Sequence, residues 1–248
     1  MAGHNKWSKV KRIKAVVDAK RSKIWQRITR EIMVAAREGG GDPAMNAKLG
    51  AALERARAEN MPKDNMQRAI KRGTGEIAGA DYEELNYEGY GPNGIAIFVE
   101  CLTDNPVRTV ADVRHAFNKN GGNMGTTGSV GYLFDRKGFV EVAVQVTDFD
   151  ALFEIVAESG ADDLEETDDV FLITTPVEAF GAVQQALKEH QIAFAEARFE
   201  RLPSTTTKLA PDDAKKVLKL VDMLEELDDV QEVFHNLELD DETLDALG

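Results

Sequence analysis

The chain has 248 residues, of which 43% are hydrophobic and 30% are charged, a balance typical of a folded protein with two or three small domains. Its single cysteine excludes an internal disulfide, and one cysteine with four scattered histidines forms no metal-ligand pattern. No apolar run approaches the roughly 20 residues of a membrane span, and the N-terminus lacks the apolar core of a secretory signal. An amphipathic, basic start could indicate an organellar presequence, but Asp18 and Glu31 interrupt it. We therefore expect a cytoplasmic protein.

The net charge of −14 conceals a basic head on an acidic body. Residues 1–75 carry 18 Lys or Arg and 7 Asp or Glu, a net charge of +11, whereas residues 76–248 carry 12 and 37, a net charge of −25. Such asymmetry predicts a polyanionic partner for the head, and nucleic acid is the obvious one.

The first predicted element is an amphipathic helix from Asp18 to Glu38, capped by Asp18 and ended by three glycines. Its apolar side comprises Ile24, Ile28, Ile32 and Ala35. Basic side chains share the opposite arc, namely Lys20, Lys23, Arg27, Arg30 and Arg37. If they neutralise about five phosphates, log K should fall against log salt with a slope of about −4 to −5. The alternative is an ordinary solvated helix face.

Two further helices complete the head. Asp42-Pro43 starts the second, which runs to about Glu59, and Asp64 caps a short third helix that ends at Gly73. Three helices with short loops predict a bundle. We expect Trp25 to pack between helices, whereas Trp7 could equally pack or stack on a base.

Beyond a linker at residues 79–81 the hydrophobic period changes to that of strands. Strands at Leu85–Tyr90 and Ile95–Leu102 flank a glycine-rich turn and predict a hairpin. A helix over Thr109–Lys119 and a strand over Val130–Phe134 follow.

The next part of the chain has the order βαββαβ, which is the split βαβ of ferredoxin-like folds. Its predicted elements are a strand Phe139–Val146, a helix from Asp148 to Ser159, strands Asp163–Glu166 and Val170–Thr174, a helix Pro176–His190 and a strand Ala193–Arg201. A helix at Pro211–Leu227 and a strand at Val230–Leu237 come last, and we expect them to return to the sheet begun at Leu85 because they cannot bury themselves alone.

The predicted fold class is therefore α/β (α+β), with an N-terminal three-helix bundle and two ferredoxin-like α/β domains, the second inserted into the first. The predicted domains are the basic helical domain at 1–78, a discontinuous α/β domain at 79–137 and 203–240, and the inserted domain at 138–202.

Three other features could carry chemistry, and each has a simpler structural explanation. Two glycine-rich stretches, NYEGYGPNG and NKNGGNMGTTGSVG, could cradle a phosphate, but neither fits a nucleotide-binding fingerprint. The acidic residues between Asp162 and Asp169 are more typical of a solvated strand edge than of a cation site. Cys101 lies in an apolar run and is expected to be buried. Without a triad, metal site or nucleophile elbow, the chain is not expected to be an enzyme.

Five stretches between Ala2 and about Gly138 resemble the YebC family, which includes the mitochondrial translational activator of cytochrome oxidase. They are AGHNKW, DAKRSKIWQRITREIMVAAREGGGDP, NMPKDNMQRAIKRGTGE, YEGYGPNGIAIFVECLTDN and FNKNGGNMGTTGSVGYLF. The resemblance implies a helical domain followed by two α/β domains, without catalytic residues. Bacterial members of the family are described as probable transcriptional regulators that bind DNA, and other members as ribosome-associated translation factors that help with difficult sequences such as proline runs.

The resemblance also implies nucleic-acid-binding positions. The basic positions of the family correspond here to Lys6, Lys11, Lys14, Lys20, Arg21, Lys23, Arg30, Arg37, Lys63, Arg68, Lys71 and Arg72. To these the basic head itself adds Lys9, Arg12 and Arg27. Two departures, at Asn105-Pro106-Val107 and Gly131-Tyr132-Leu133, weaken any direct role of the middle domain in binding.

We therefore predict a non-enzymatic nucleic-acid-binding regulator of gene expression, which by resemblance is a DNA-binding transcriptional regulator. A rival hypothesis is a translation factor that binds ribosomal or transfer RNA and the ribosome, which the ferredoxin-like plan favours slightly by analogy. An interaction scaffold whose basic head binds an acidic protein also fits the charge pattern, and an enzyme that uses the glycine-rich middle domain is a further rival. We expect a monomer without cofactor, metal or membrane partner.

Overall fold

The computed structural model describes residues 21–239, with side chains from residue 23 onward. Its helices, in chain order, are α1 (Arg21–Gly39), α2 (Ala47–Ala58), α3 (Lys63–Gly73), α4 (Pro106–Lys119), α5 (Phe149–Glu158), α6 (Phe180–Glu189) and α7 (Pro211–Glu225). Its strands are β1 (Glu83–Tyr90), β2 (Ala96–Thr103), β3 (Asn123–Met124), β4 (Phe134–Ala143), β5 (Asp163–Glu166), β6 (Val170–Pro176), β7 (Glu196–Pro203) and β8 (Val230–His235).

Helices α1, α2 and α3 form the N-terminal helical bundle. The predicted apolar side of α1 is confirmed, since Ile28 and Ile32 are completely buried and Ile24 packs at the edge of the same core. The helices α1 and α3 cross closely at Gly73, where a β-carbon would lie 2.3 Å from the Met33 carbonyl oxygen. Only glycine allows this approach, so the residue that ends α3 also sets the packing of the bundle.

The starts of the helices differ from the sequence prediction. The second helix begins at Ala47, because the Asn46 side chain caps it by accepting a hydrogen bond from the Leu49 N–H at 3.1 Å. Asp42, predicted to start this helix, instead closes a local turn onto the Ala44 N–H. Asp64 lies within the first turn of α3 and is not its cap. The predicted cap of α1, Asp18, lies outside the described residues.

The central sheet is antiparallel, with strand order β3-β1-β2-β8. Helices α4 and α7 cover one of its faces, and the shared core includes Val99, Phe117, Leu220 and Leu224. The last helix and strand thus join the sheet begun by β1, with β8 paired to β2.

The inserted unit runs from β4 to β7 and enters the chain between β3 and α7. Its strand order β5-β6-β4-β7, with α5 and α6 on one face, is the predicted split βαβ arrangement. Asp148 caps α5 as predicted, by accepting a hydrogen bond from the Ala151 N–H at 2.9 Å. The fold class is therefore a helical bundle followed by two α/β units, the second inserted into the first. The exact domain boundaries stay predictions.

The predicted strand at Val130–Phe134 is wrong. Gly131–Leu133 forms a short 3-10 turn, and β4 begins only at Phe134 and ends at Ala143. The N–H groups of Val130 and Gly131 donate to the Glu88 carboxylate, so they are not available to a neighbouring strand. A contact between residues more than forty positions apart therefore decides this segment.

None of the helices in the described part of the chain combines the length and apolar character that a membrane crossing requires.

Candidate nucleic-acid interface

The basic stripe of α1 faces the C-terminal end of α7. The Lys23 ammonium donates to the Glu226 carbonyl, an Arg27 guanidinium nitrogen lies 2.6 Å from the Glu225 carbonyl oxygen, and Arg30 donates to the Asp228 carbonyl. Carbonyls at the end of a helix have no intrahelical N–H partner and carry the negative end of the helix dipole. Three cations of the head thus bind an end of the acidic body.

Asp229 lies at the centre of a second polar group beside this contact. Its carboxylate accepts hydrogen bonds from Arg108 at 2.7 Å and Thr109 at 2.8 Å, and Arg30 approaches it at 3.8 Å. Burial alone would raise the pKa of Asp229, but the hydrogen bonds from Arg108 and Thr109 hold it below its ordinary value. Arg30 also lies over the ring of Tyr82, 5.6 Å from its centroid.

Arg55 connects the helical bundle to the central sheet. It lies 3.1 Å from a Glu31 carboxylate oxygen within the bundle and 3.2 Å from Glu232 on β8. The Glu31 charge raises the pKa of Arg55, whereas burial raises the pKa of Glu31 against the opposing effect of Arg55. Sequence analysis missed this residue, because on α2 alone nothing distinguishes Arg55 from a solvated arginine.

Arg37 also turns back toward its own chain. It lies 2.7 Å from the Asp81 carboxylate and donates to the Ala80 carbonyl at 3.2 Å, in the linker before β1. Both carboxylate and guanidinium are exposed, so this pair contributes little to stability.

The outer side of α3 has a different environment. Its basic residues are exposed and have no ion pair among the described residues: Lys63, Arg68, Lys71 and Arg72. Met66 and Ala69, on the opposite side of the same helix, are buried in the bundle. This cationic side of α3 is therefore presented to solvent by the packing of the bundle.

The remaining predicted positions cannot be placed. Lys6, Lys9, Lys11, Arg12, Lys14 and Lys20 lie outside the described residues, as does Trp7. Arg21 begins α1, but its side chain is outside the description. Trp25 packs against the bundle core as predicted, and its ring N–H donates to the Glu59 carbonyl at 3.0 Å.

The second glycine-rich stretch folds around a carboxylate of the protein itself. Glu88, 5% exposed on β1, accepts hydrogen bonds of 2.7 Å from the N–H groups of Gly128, Val130 and Gly131. Burial alone would raise the pKa of Glu88, but these three donors and the charge of Arg201 lower it. The backbone donors that would hold a phosphate are thus occupied. Strand alternation places Glu88 on the face of β1 opposite the core-facing Leu85 and Tyr87, so no signal in the sequence marked it as buried.

The other candidate features have structural roles. The acidic segment contributes β5, one of the two edge strands of the inserted unit, and Asp162 pairs with Lys137 at 2.8 Å. Within residues 21–239 no group of three or more histidine, cysteine or acidic side chains is arranged to hold a metal. Cys101 is 3% exposed as expected, and burial, with the nearby Asp229 and Glu100 charges, raises the pKa of its thiol to about 12.

A cleft of about 750 Å³ separates the helical bundle from the inserted unit. Its charged lining is largely paired, since Arg198 contacts Glu141 at 2.9 Å and Lys188 contacts Glu54 at 3.3 Å. Because both signs of charge are present and matched, this cleft does not provide the uniform positive surface that a polyanion requires.

Comparison with known proteins identifies two matching family models that together span most of the chain. Residues 5–76 match the TACO1/YebC protein N-terminal domain, and residues 82–237 match the TACO1/YebC second and third domain. A protein of Geobacillus sp. (strain WCH70) named "Probable transcriptional regulatory protein" is 51% identical, over 96% of this chain and 98% of its own length. A Thermotoga maritima protein with the same description is 47% identical, over 100% of this chain and 98% of its own.

Among solved structures, a conserved hypothetical protein of Aquifex aeolicus has the same fold. The two chains superpose with a TM-score of 0.82 at 42% identity, covering 92% of this chain and 94% of the other.

Proposed function

This chain belongs to the TACO1/YebC family, and on that premise we propose that it is a non-enzymatic regulator of gene expression that binds duplex DNA through the cationic side of α3. The names of the relatives from Geobacillus and Thermotoga support a regulatory role in transcription. The proposed setting is the cytoplasm, and the proposal requires no cofactor.

The exposed cations of α3 are the observation that carries this proposal. Lys63 and Arg72 lie nine positions apart, or roughly 14 Å along a helix, and Arg68 and Lys71 share the same side between them. Over about 14 Å, duplex DNA presents roughly eight phosphates. Cations at the C-terminal turn of a helix are favoured by its dipole, so Lys71 and Arg72 can remain exposed at low cost.

Binding of this kind depends on phosphate contacts more than on base contacts. Phosphate contacts position a protein on nucleic acid, whereas base-edge contacts specify sequence. If α3 alone neutralises four phosphates of duplex DNA, the slope of log K against log salt is about −3.6. The predicted binding residues of the N-terminal segment, where they contribute, make this slope steeper.

The test measures salt-dependent binding of a fluorescent DNA duplex to the full chain. Arg68→Gln with Lys71→Gln removes two exposed cations and is expected to flatten the slope by about 1.8. The control, Lys215→Gln with Lys219→Gln, removes two exposed cations from α7 and should leave the slope unchanged. No salt-dependent binding, or equal effects of the two double variants, would refute the proposed interface.

The same titration with structured RNA and with ribosomes separates transcription from translation. Tighter, α3-dependent binding of duplex DNA is the expected result. Binding of RNA or ribosomes that depends on α3, without binding of duplex DNA, would instead assign the family role in translation to this chain.

A further inference from the structure

The polar contact between α1 and the end of α7, here called the latch, consists of Lys23, Arg27 and Arg30 with the backbone from Glu225 to Asp228. All three cations donate to carbonyl groups of this short segment. The segment also carries carboxylates at Glu225, Glu226 and Asp228, and the carboxylate of Asp229 follows it directly. Carbonyl oxygens at a helix end, surrounded by carboxylates, offer cations much of what a phosphate backbone offers.

The latch binds side chains that are predicted from the sequence to contact nucleic acid. Arg30 has only 15% of its side chain exposed, because the α7 segment and Tyr82 cover it. A guanidinium in this position cannot reach a phosphate of an external polyanion until the contact opens. The helical bundle therefore has two cationic sides in different states, one exposed on α3 and one self-bound on α1.

The closed latch leaves one polar group unsatisfied. The Arg27 Nε is buried and has no hydrogen-bond partner among the described residues. A buried donor without a partner is costly, so the closed state is less stable than a fully satisfied contact would be. A further contact between the bundle and the central sheet, the ion pair of Arg55 and Glu232, is 30% exposed on both side chains, and salt weakens it.

From this arrangement we propose that the latch is an autoinhibitory contact: the end of α7 occupies the cations of α1, and a nucleic-acid backbone displaces it. This inference rests on the proposed nucleic-acid binding. Phosphates first engage α3, which is free, and then compete with the α7 segment for Lys23, Arg27 and Arg30. Because a self-bound form lowers the apparent affinity by the fraction of molecules that are open, opening the latch in advance should tighten binding.

The test uses the distance between two spin labels on the full chain, measured by electron paramagnetic resonance. Met45→Cys, on the helical bundle, and Val107→Cys, at the start of α4, provide labelling sites that are 84% and 78% exposed. The buried native Cys101 stays unlabelled. A predominantly short distance is expected without nucleic acid, and a predominantly longer distance with saturating DNA duplex.

Two charge-matched double variants follow, one that should open the latch and one that serves as its control. Glu226→Lys with Asp228→Lys repels the α1 cations and should give the longer distance without DNA. Glu154→Lys with Glu158→Lys makes the same change in net charge at the C-terminal part of another helix, α5, where both glutamates are exposed. If about a tenth of wild-type molecules are open, the latch variant should bind DNA up to about tenfold more tightly than this control.

The outcomes separate the latch from the proposed function. DNA binding with an unchanged label distance, or equal affinities of the two variants, would overturn the latch and leave the proposed function standing. Failure of every protein, including the latch variant, to bind nucleic acid would overturn both.

Discussion

The glycine-rich loop between β3 and β4 depends on one carboxylate, and Glu88→Gln tests that dependence. Glu88 Oε1 accepts from Gly128, whereas Oε2 accepts from both Val130 and Gly131. Glutamine has a single amide oxygen, so it can keep at most the two bonds at Oε2, and its NH2 group would face the Gly128 N–H. We therefore expect the substitution to destabilise the loop while β1 itself remains paired with β2.

The expected loss of stability follows from the number and kind of hydrogen bonds that the substitution changes. Leaving a buried N–H unpaired costs about 1–3 kcal/mol, and each of the two retained bonds changes from a charge-assisted to a weaker neutral bond. With about 1 kcal/mol lost at each retained bond, the sum predicts that Glu88→Gln lowers the free energy of unfolding by about 3–5 kcal/mol. Glu84→Gln, which removes an exposed carboxylate from the same strand, is the control and should change it by no more than about 0.5 kcal/mol.

Denaturant unfolding at pH 7 and amide hydrogen exchange at Gly128, Val130 and Gly131 measure the two effects together. Exchange at these amides should accelerate in Glu88→Gln and stay unchanged in Glu84→Gln. Equal stabilities and equal protection in the two variants would show that the carboxylate does not organise the loop.

The pH dependence of stability gives an independent check on the contribution of the Glu88 carboxylate. Because the pKa of Glu88 is lowered in the folded chain, its contribution is complete above the pKa of an unfolded glutamate, about 4.3, and is lost as the pH falls through the folded value. The difference in stability between wild type and Glu88→Gln should therefore shrink in acid. A difference that grows as the pH falls would contradict the assigned sign.

Two further predictions concern packing. Gly73→Ala gains helix propensity but places a methyl group against the Met33 carbonyl, so a net loss of about 1–3 kcal/mol is expected in denaturant unfolding followed by tryptophan fluorescence. Gly181→Ala on α6, where a β-carbon meets nothing within 4 Å, should instead be neutral or stabilising, and similar losses in both would rule out the close crossing as the cause. The Cys101 thiol should react with a disulfide reagent at pH 8 only after unfolding, because it is buried and its pKa is raised to about 12, and rapid reaction of the native chain would contradict this burial.

Periodicity predicted those parts of the fold that depend on neighbours in sequence. Residues within a few turns of one helix fix the apolar side of α1 and the Asp148 cap. The split βαβ arrangement follows from the order of elements, each of which has its own local pattern. The predicted start of α2 is too early, because Asp42-Pro43 and Asn46 are both acceptable helix starts and the choice between them depends on contacts of the folded bundle. The Asn46 amide donates to the Ala35 carbonyl at 2.7 Å, which ties the start of α2 to α1.

The basic head, the apolar and cationic sides of α1, and the family resemblance can all be read from the amino-acid sequence alone. These properties follow from composition and local spacing, which do not depend on the rest of the fold. Which of the cations face solvent depends on contacts between distant parts of the folded chain. It brings the end of α7, about 200 positions further along the chain, against Lys23, Arg27 and Arg30, while the side of α3 bearing Arg68 remains exposed. Charge counts cannot distinguish these two sets, because a cation bound to a distant carbonyl and a free cation have the same sequence signature.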